Sequence, residues 1–220
     1  MSLDAEWAIQ WVRRSAVVVQ EHRDALTALD TAIGDGDHGA NLERGYNAAV
    51  ARLDEVAAAG QAPTTAGEVL QLVATSLITT VGGAAGPLLG TAMLRASHTV
   101  DGAQVDGAQV AQMLQEAADA VRLRGRAEAG DKTMLDAWQP AAAAARQAAD
   151  RGEGPVEVLQ AAATAAHEGA QETLPLKARK GRASFLGERS RGHLDPGACS
   201  TALLIQAAAD TALAAVDQES

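Results

Sequence analysis

The chain has 220 residues, 28 acidic side chains against 18 Lys and Arg, and a net charge of −10; nearly half of it is hydrophobic, yet aromatics make up only 2%. That length suits one large domain with its own core, and the acidic balance excludes a general nucleic-acid binder, which needs a basic footprint to neutralise phosphates. A single cysteine, Cys199, allows no intrachain disulfide, no apolar run reads as a membrane span, and MSLDAEWAIQWVRR lacks a basic segment followed by an apolar run, so a cytoplasmic chain without a signal peptide is expected.

With so few aromatics, the core must come from Ala, Leu, Val and Ile. Alanine is the best helix former, and small side chains let helices approach closely, so an all-α domain is expected. The first helix is read from about Asp4 to Ile33, with Ile9, Val12, Ala16 and Val19 on one face. The glycine-rich stretch Gly34 to Gly39 ends it. A second helix follows through NLERGYNAAVARLDEVAAA, and Thr64 or Thr65 caps a third, GEVLQLVATSLITT. Gly82 to Pro87 breaks the chain before LLGTAMLRASHTV. DGAQVAQMLQEAADAVRLR is the fifth helix, ending at Gly125. TMLDAWQPAAAAARQAADR is the sixth, bent by Pro140 or starting near it. PVEVLQAAATAAHEGAQETL is the seventh, with Pro155 in its first turn, and after a long polar loop ACSTALLIQAAADTALAAV is the eighth. Alternating β-branched runs are absent. Residues 1–220 therefore read as a single domain of about eight helices.

Glycine concentrates in four loops, 34–39, 82–90, 125–130 and 181–197. Packed helices do not need such connections, and loops of this kind usually carry function. In the first, Asp30, Asp35 and Asp37 surround Gly34, Gly36 and Gly39. Carboxylates this close repel unless each faces water or a cation neutralises them. Mg²⁺, a hard cation, is typically shared between carboxylates and substrate phosphates. The same segment matches G-x-G-x-x-G, but a helix precedes it where a dinucleotide fold needs a strand. An EF-hand fails too, because the required glycine position holds Ala40 and position twelve holds Tyr46. No Walker A sequence occurs. Solvated Asp-Gly turns remain the alternative. His38 to Asn41 start a helix whose free amides could meet a phosphate.

The other loops are weaker alone. Ser76, Thr79 and Thr80 precede Gly82-Gly83, and their hydroxyls could line a phosphate or base pocket or simply end a helix. Met134 could pack on a purine or belong to the core. Lys177 to Arg182 is the only dense basic run, either a solvated loop or a phosphate contact. His193 to Gly197 is a turn into the last helix. No Ser-His-Asp or Cys-His pairing and no nucleophile stand out.

Taken together and in order, LDTAIGDGDHGANLERG, TTVGGAAGPLLGTAM, RGRAEAGDKTMLDAW and ARKGRASFLGERSRGHLDPGACS resemble the L subunits of dihydroxyacetone kinases, which also occur as the C-terminal domain of single-chain kinases. The resemblance implies an eight-helix antiparallel barrel with a nucleotide site at one end. It implies Mg²⁺ held by Asp30, Asp35 and Asp37. It implies ADP or ATP surrounded by His38, Gly39, Ala40, Asn41, Thr79, Thr80, Gly125, Met134, Arg182, Asp195, Pro196 and Gly197. It further implies two partners. A K subunit carries dihydroxyacetone on a histidine, and a phosphohistidine M subunit of the phosphotransferase system recharges bound ADP. An ATP-exchanging subunit for another triose or tetrose, a regulatory module and a homodimer stay open. No contact with nucleic acid or membrane is expected.

Overall fold

The computed structural model describes residues 2–219. These form α1 (Ala5–Ile33), α2 (His38–Ala58), α3 (Ala66–Thr80), α4 (Ala85–Ser97), α5 (Gly107–Gly125), α6 (Leu135–Asp150), α7 (Pro155–Glu172), a 3-10 segment (Arg182–Ser190) and α8 (Pro196–Glu219). The expected all-α class holds: among the described residues, only an isolated bridge, Leu3 to Val105, is extended pairing.

Local chemistry explains the boundaries. Asp4 accepts from the Trp7 amide at 3.0 Å and starts α1. Thr65 accepts from the Glu68 amide at 3.1 Å and starts α3. Asp106 and Gln109 form a reciprocal capping box that starts α5. Three boundaries differ from the sequence reading. Helix α4 begins at Ala85, not after Pro87, because proline in a first turn forfeits an amide that has no helical partner anyway. Helix α6 runs from Leu135 straight through Pro140. The Asp136 carbonyl, four residues before that proline, faces Gly169 of α7; a Cβ on Gly169 would lie 2.1 Å from it. The long polar loop before α8 contains the 3-10 segment.

Each helix packs on the next, and α8 packs back on α1, closing the ring. The seam is held by two indoles. Trp7 and Trp11 stack at 5.4 Å and donate to the α8 carbonyls of Ala208 (3.2 Å) and Leu204 (2.8 Å). Truncating either to Ala would cost about 3–5 kcal/mol. Where helices meet, the contact residues are largely alanine: Ala141, Ala145, Ala162, Ala166, Ala202 and Ala207 are all fully buried.

Helix α8 corrects one sequence expectation. Pro196–Val216 is long and apolar enough to cross a membrane, with a mean hydropathy of 1.4. Its hydrophobicity has another cause here, because it packs on α1, α6 and α7 and supplies buried Leu204, Ile205 and Ala209 to the core.

Consecutive helices joined by short connections run antiparallel. The links after α1, α3, α5 and α7 therefore all emerge at one end of the ring. These are the four glycine-rich loops, so the up-and-down topology by itself gathers segments spread from residue 34 to residue 197.

Candidate functional site

At that end lies a cavity of about 440 Å³, walled by all four loops. Its acidic side is built at the α1–α2 corner. Asp30 is only 9% exposed. Its Oδ2 accepts from the amides of Asp37 (2.8 Å) and His38 (3.1 Å), so a residue of α1 caps α2. Asp37, at the cap position itself, makes no side-chain cap bond, which leaves its carboxylate free for other work. Gly36 turns the chain between the two loop aspartates at φ +75, a conformation that strains other residues. As a result Asp30, Asp35 and Asp37 each bring one oxygen to within 4.8 Å of the others. Three converging carboxylate oxygens are a donor set for a hard divalent cation. Arg182, from the 3-10 segment, reaches across to Asp35 at 2.9 Å.

Beside this corner, His38 is buried and its Nε2 lies 2.9 Å from Ser200 Oγ. The Ser200 hydroxyl also lies 3.0 Å from the Gly197 carbonyl, to which it can donate. Burial lowers the His38 pKa, with Asp30 and Asp37 opposing. The imidazole thus ties the start of α2 to the start of α8.

The lining also carries apolar side chains, Ile33, Pro87, Leu88, Val121, Ala127 and Met134. Also in the lining, Asp195 caps α8 by accepting from the Ala198 amide at 2.7 Å. Burial pushes its carboxyl up to about 7, with Lys132 opposing. Lys132 is 1% exposed. Its ammonium donates to the Thr173 carbonyl at 2.6 Å and also to the His193 carbonyl, and so clamps both stems of the segment that carries Arg182. Burial lowers its pKa, while Asp195 and Asp136 raise it.

The structure brings Asp30, Asp35, Asp37, His38, Asn41, Gly125, Met134, Arg182, Asp195, Pro196 and Gly197 to the cavity wall. Four other candidates are not among the lining residues: Gly39, Ala40, Thr79 and Thr80. The Thr79 and Thr80 hydroxyls bond back to the carbonyls of Thr75 (2.8 Å) and Ser76 (2.6 Å) in their own helix. Gly39 serves packing, since a Cβ there would sit 2.1 Å from the Arg23 carbonyl oxygen of α1. Sequence reasoning missed Lys132, because nothing in a loop pattern distinguishes a buried lysine from a solvated one. It also missed the Asp35–Arg182 pair, which links residues far apart in the chain.

The chemistry available is binding and charge neutralisation. The acidic cluster suits a cation with phosphates, and the apolar lining suits a flat apolar group.

The chain is similar to proteins of one known family. The DAK2 domain model matches residues 32–210. The chain is 40% identical over 207 residues to the ADP-binding subunit DhaL of the PEP-dependent dihydroxyacetone kinase of Escherichia coli K12, covering 94% of this chain and 96% of that protein. It is 39% identical to a DhaL subunit of Listeria innocua, covering 96% and 98%. It is also 37% identical to the L-erythrulose kinase of Pectobacterium atrosepticum, spanning 30% of that longer protein. Among solved structures, the dihydroxyacetone kinase of C. freundii in complex with AMP-PNP and Mg²⁺ superposes with a TM-score of 0.67 at 25% identity, covering 96% of this chain and 34% of that one. The chain belongs to the DAK2 domain family, alongside the ADP-binding L subunits of dihydroxyacetone kinases.

Proposed function

We propose that this chain is the nucleotide-holding subunit of a dihydroxyacetone kinase. It keeps ADP or ATP with Mg²⁺ in the cavity and passes the γ-phosphoryl group to dihydroxyacetone carried by a separate K subunit. A phosphohistidine M subunit then rephosphorylates the ADP in place. The observation that carries this reading is the convergence of Asp30, Asp35 and Asp37 in one cavity whose lining is otherwise partly apolar. Near full-length identity to PEP-dependent L subunits supports it.

In this reading Asp30, Asp35 and Asp37 hold the metal, which neutralises phosphate charge as the phosphoryl group moves. His38 and Asn41, the residues at the start of α2 that line the cavity, face the phosphate oxygens. Arg182, already over the acidic cluster, supplies a planar fork for the transferring group. Gly125, Met134 and the turn Asp195 to Gly197 take the base and ribose. In this reading the acceptor hydroxyl belongs to a sugar on another chain, so the reaction requires no nucleophile from this one. In the transfer, the bond from the γ-phosphorus to the bridging oxygen breaks and releases ADP, a bond to the sugar oxygen forms, and the hydroxyl proton is lost to solvent. A protein exchanging phosphate with soluble partners of this kind works in the cytoplasm.

The test is nucleotide retention. Purified protein should bind ADP only with Mg²⁺, and Asp35→Asn should abolish binding with helicity unchanged. Binding that survives in chelator, or in Asp35→Asn, would show the metal assignment to be wrong.

A further inference from the structure

Arg44 sits on α2, one turn beyond the stretch that lines the cavity, and is itself exposed. Its guanidinium makes two bonds, one to the end of α3 and one to a residue that lines the cavity. Nε donates to the Thr80 carbonyl at the end of α3, at 2.9 Å. One Nη donates to Asn41 Oδ1 at 2.6 Å. Asn41 is 6% exposed and lines the cavity.

A guanidinium only donates hydrogen bonds, so the Asn41 atom facing it must be the carbonyl oxygen. The side-chain amide therefore cannot flip without giving up a charge-assisted bond. With Oδ1 occupied, the Nδ2 amine is what Asn41 has left to offer the cavity. Gly82 confines the amide further. A Cβ at Gly82 would lie 3.4 Å from both Nδ2 and Oδ1, so glycine leaves the amide room without leaving it loose. An amine carries two N–H donors and suits a phosphate oxygen, whereas the flipped amide would present an oxygen and repel it.

We propose that Arg44 is a positioning residue for nucleotide binding: it fixes the Asn41 amide with Nδ2 toward the phosphates and ties that amide to the end of α3. This inference rests on the nucleotide reading above. It needs the two-pronged geometry of arginine as well as its charge.

The experiment is a double-mutant cycle on Mg²⁺·ADP affinity, measured by calorimetry on the full chain with Arg44→Met, Asn41→Ala and the double variant. Arg44→Met should weaken binding about tenfold, the scale of one hydrogen bond to a charged group. In the Asn41→Ala background the same change should have almost no effect. Arg44→Lys should behave like Arg44→Met, because a single ammonium nitrogen does not reproduce the separate Nε and Nη donors of the fork. Losses that simply add, or full affinity in Arg44→Met, would overturn the proposal. Recovery by Arg44→Lys would overturn it as well, by showing that charge alone acts. If Arg44→Met fails to fold, Arg44→Lys, which keeps a long cationic side chain, carries the cycle. A wild-type chain that binds no Mg²⁺·ADP would instead overturn the functional reading and this inference with it; additive losses in a chain that binds normally would sink this inference alone.

Discussion

Asp30 does two jobs with two oxygens, and substitution can separate them. Oδ2 takes the amides of Asp37 and His38, which belong to the start of α2. Oδ1 lies on the Gly34 side and, in the metal reading, is the ligand. Asp30→Asn keeps one carbonyl oxygen that can still accept from those amides, but removes the charge. Asp30→Ala removes both functions. Losing a helix cap costs about 1 kcal/mol, and leaving a buried amide unpaired costs about 1–3 kcal/mol. Asp30→Ala should therefore lose roughly 2–4 kcal/mol. For a chain of this size each kcal/mol lowers Tm by about 2–4 °C, giving a fall of roughly 4–16 °C. Asp30→Asn should fall by less than half as much. Both variants should lose Mg²⁺-dependent ADP binding. Thermal melts followed by circular dichroism, paired with calorimetric ADP titrations, read the two functions independently. Equal melting points for the two variants would refute the capping role. Wild-type ADP affinity in Asp30→Asn would refute the metal role.

Three further outcomes follow from the geometry. Gly39→Ala places a methyl 2.1 Å from the Arg23 carbonyl, so α1 and α2 must separate; urea unfolding should show a loss of about 1–3 kcal/mol, and an unchanged midpoint would contradict the packing role. Lys132→Met keeps the volume but leaves the Thr173 and His193 carbonyls without their donor; amide exchange in residues 174–195 should rise well above that in α1 and α3, and uniform exchange would contradict the clamp. Burial raises the Asp195 carboxyl to about 7, so between about pH 4 and pH 7 the folded chain holds a proton that the unfolded chain has lost, and stability falls as pH rises through that window. Asp195→Asn keeps an α8 cap and removes this slope, so its Tm should gain on the wild type from pH 4 to pH 7; a constant difference would contradict the raised pKa.

The helices were legible because alanine-rich periodic runs leave little else for the chain to form, and Thr65 and Pro155 marked starts that the structure keeps. The site was legible as four glycine loops, although only the alternation of helix direction explains why they meet. What escaped was non-local or conformational. Residues 182–190 form a 3-10 segment with a left-handed Gly187 inside it, and no periodicity announces that. The Thr79 and Thr80 hydroxyls suggested a lining, yet a helical threonine can satisfy itself on the preceding turn. Lys132 gave no signal in the sequence, yet its ammonium is buried on two carbonyls 20 residues apart. Arg44 carried no signal at all, since its importance lies in which atom of Asn41 it faces.

The central claim is that this chain holds the phosphoryl donor for a sugar bound elsewhere. The most direct measurement mixes ADP-loaded chain with a dihydroxyacetone-binding K subunit and a phosphohistidine M subunit kept phosphorylated by phosphoenolpyruvate, and follows triose phosphate. The account predicts turnover with only stoichiometric ADP, lost in Asp35→Asn and in chelator. No triose phosphate from a chain that binds Mg²⁺·ADP, or turnover undiminished in Asp35→Asn, would contradict it.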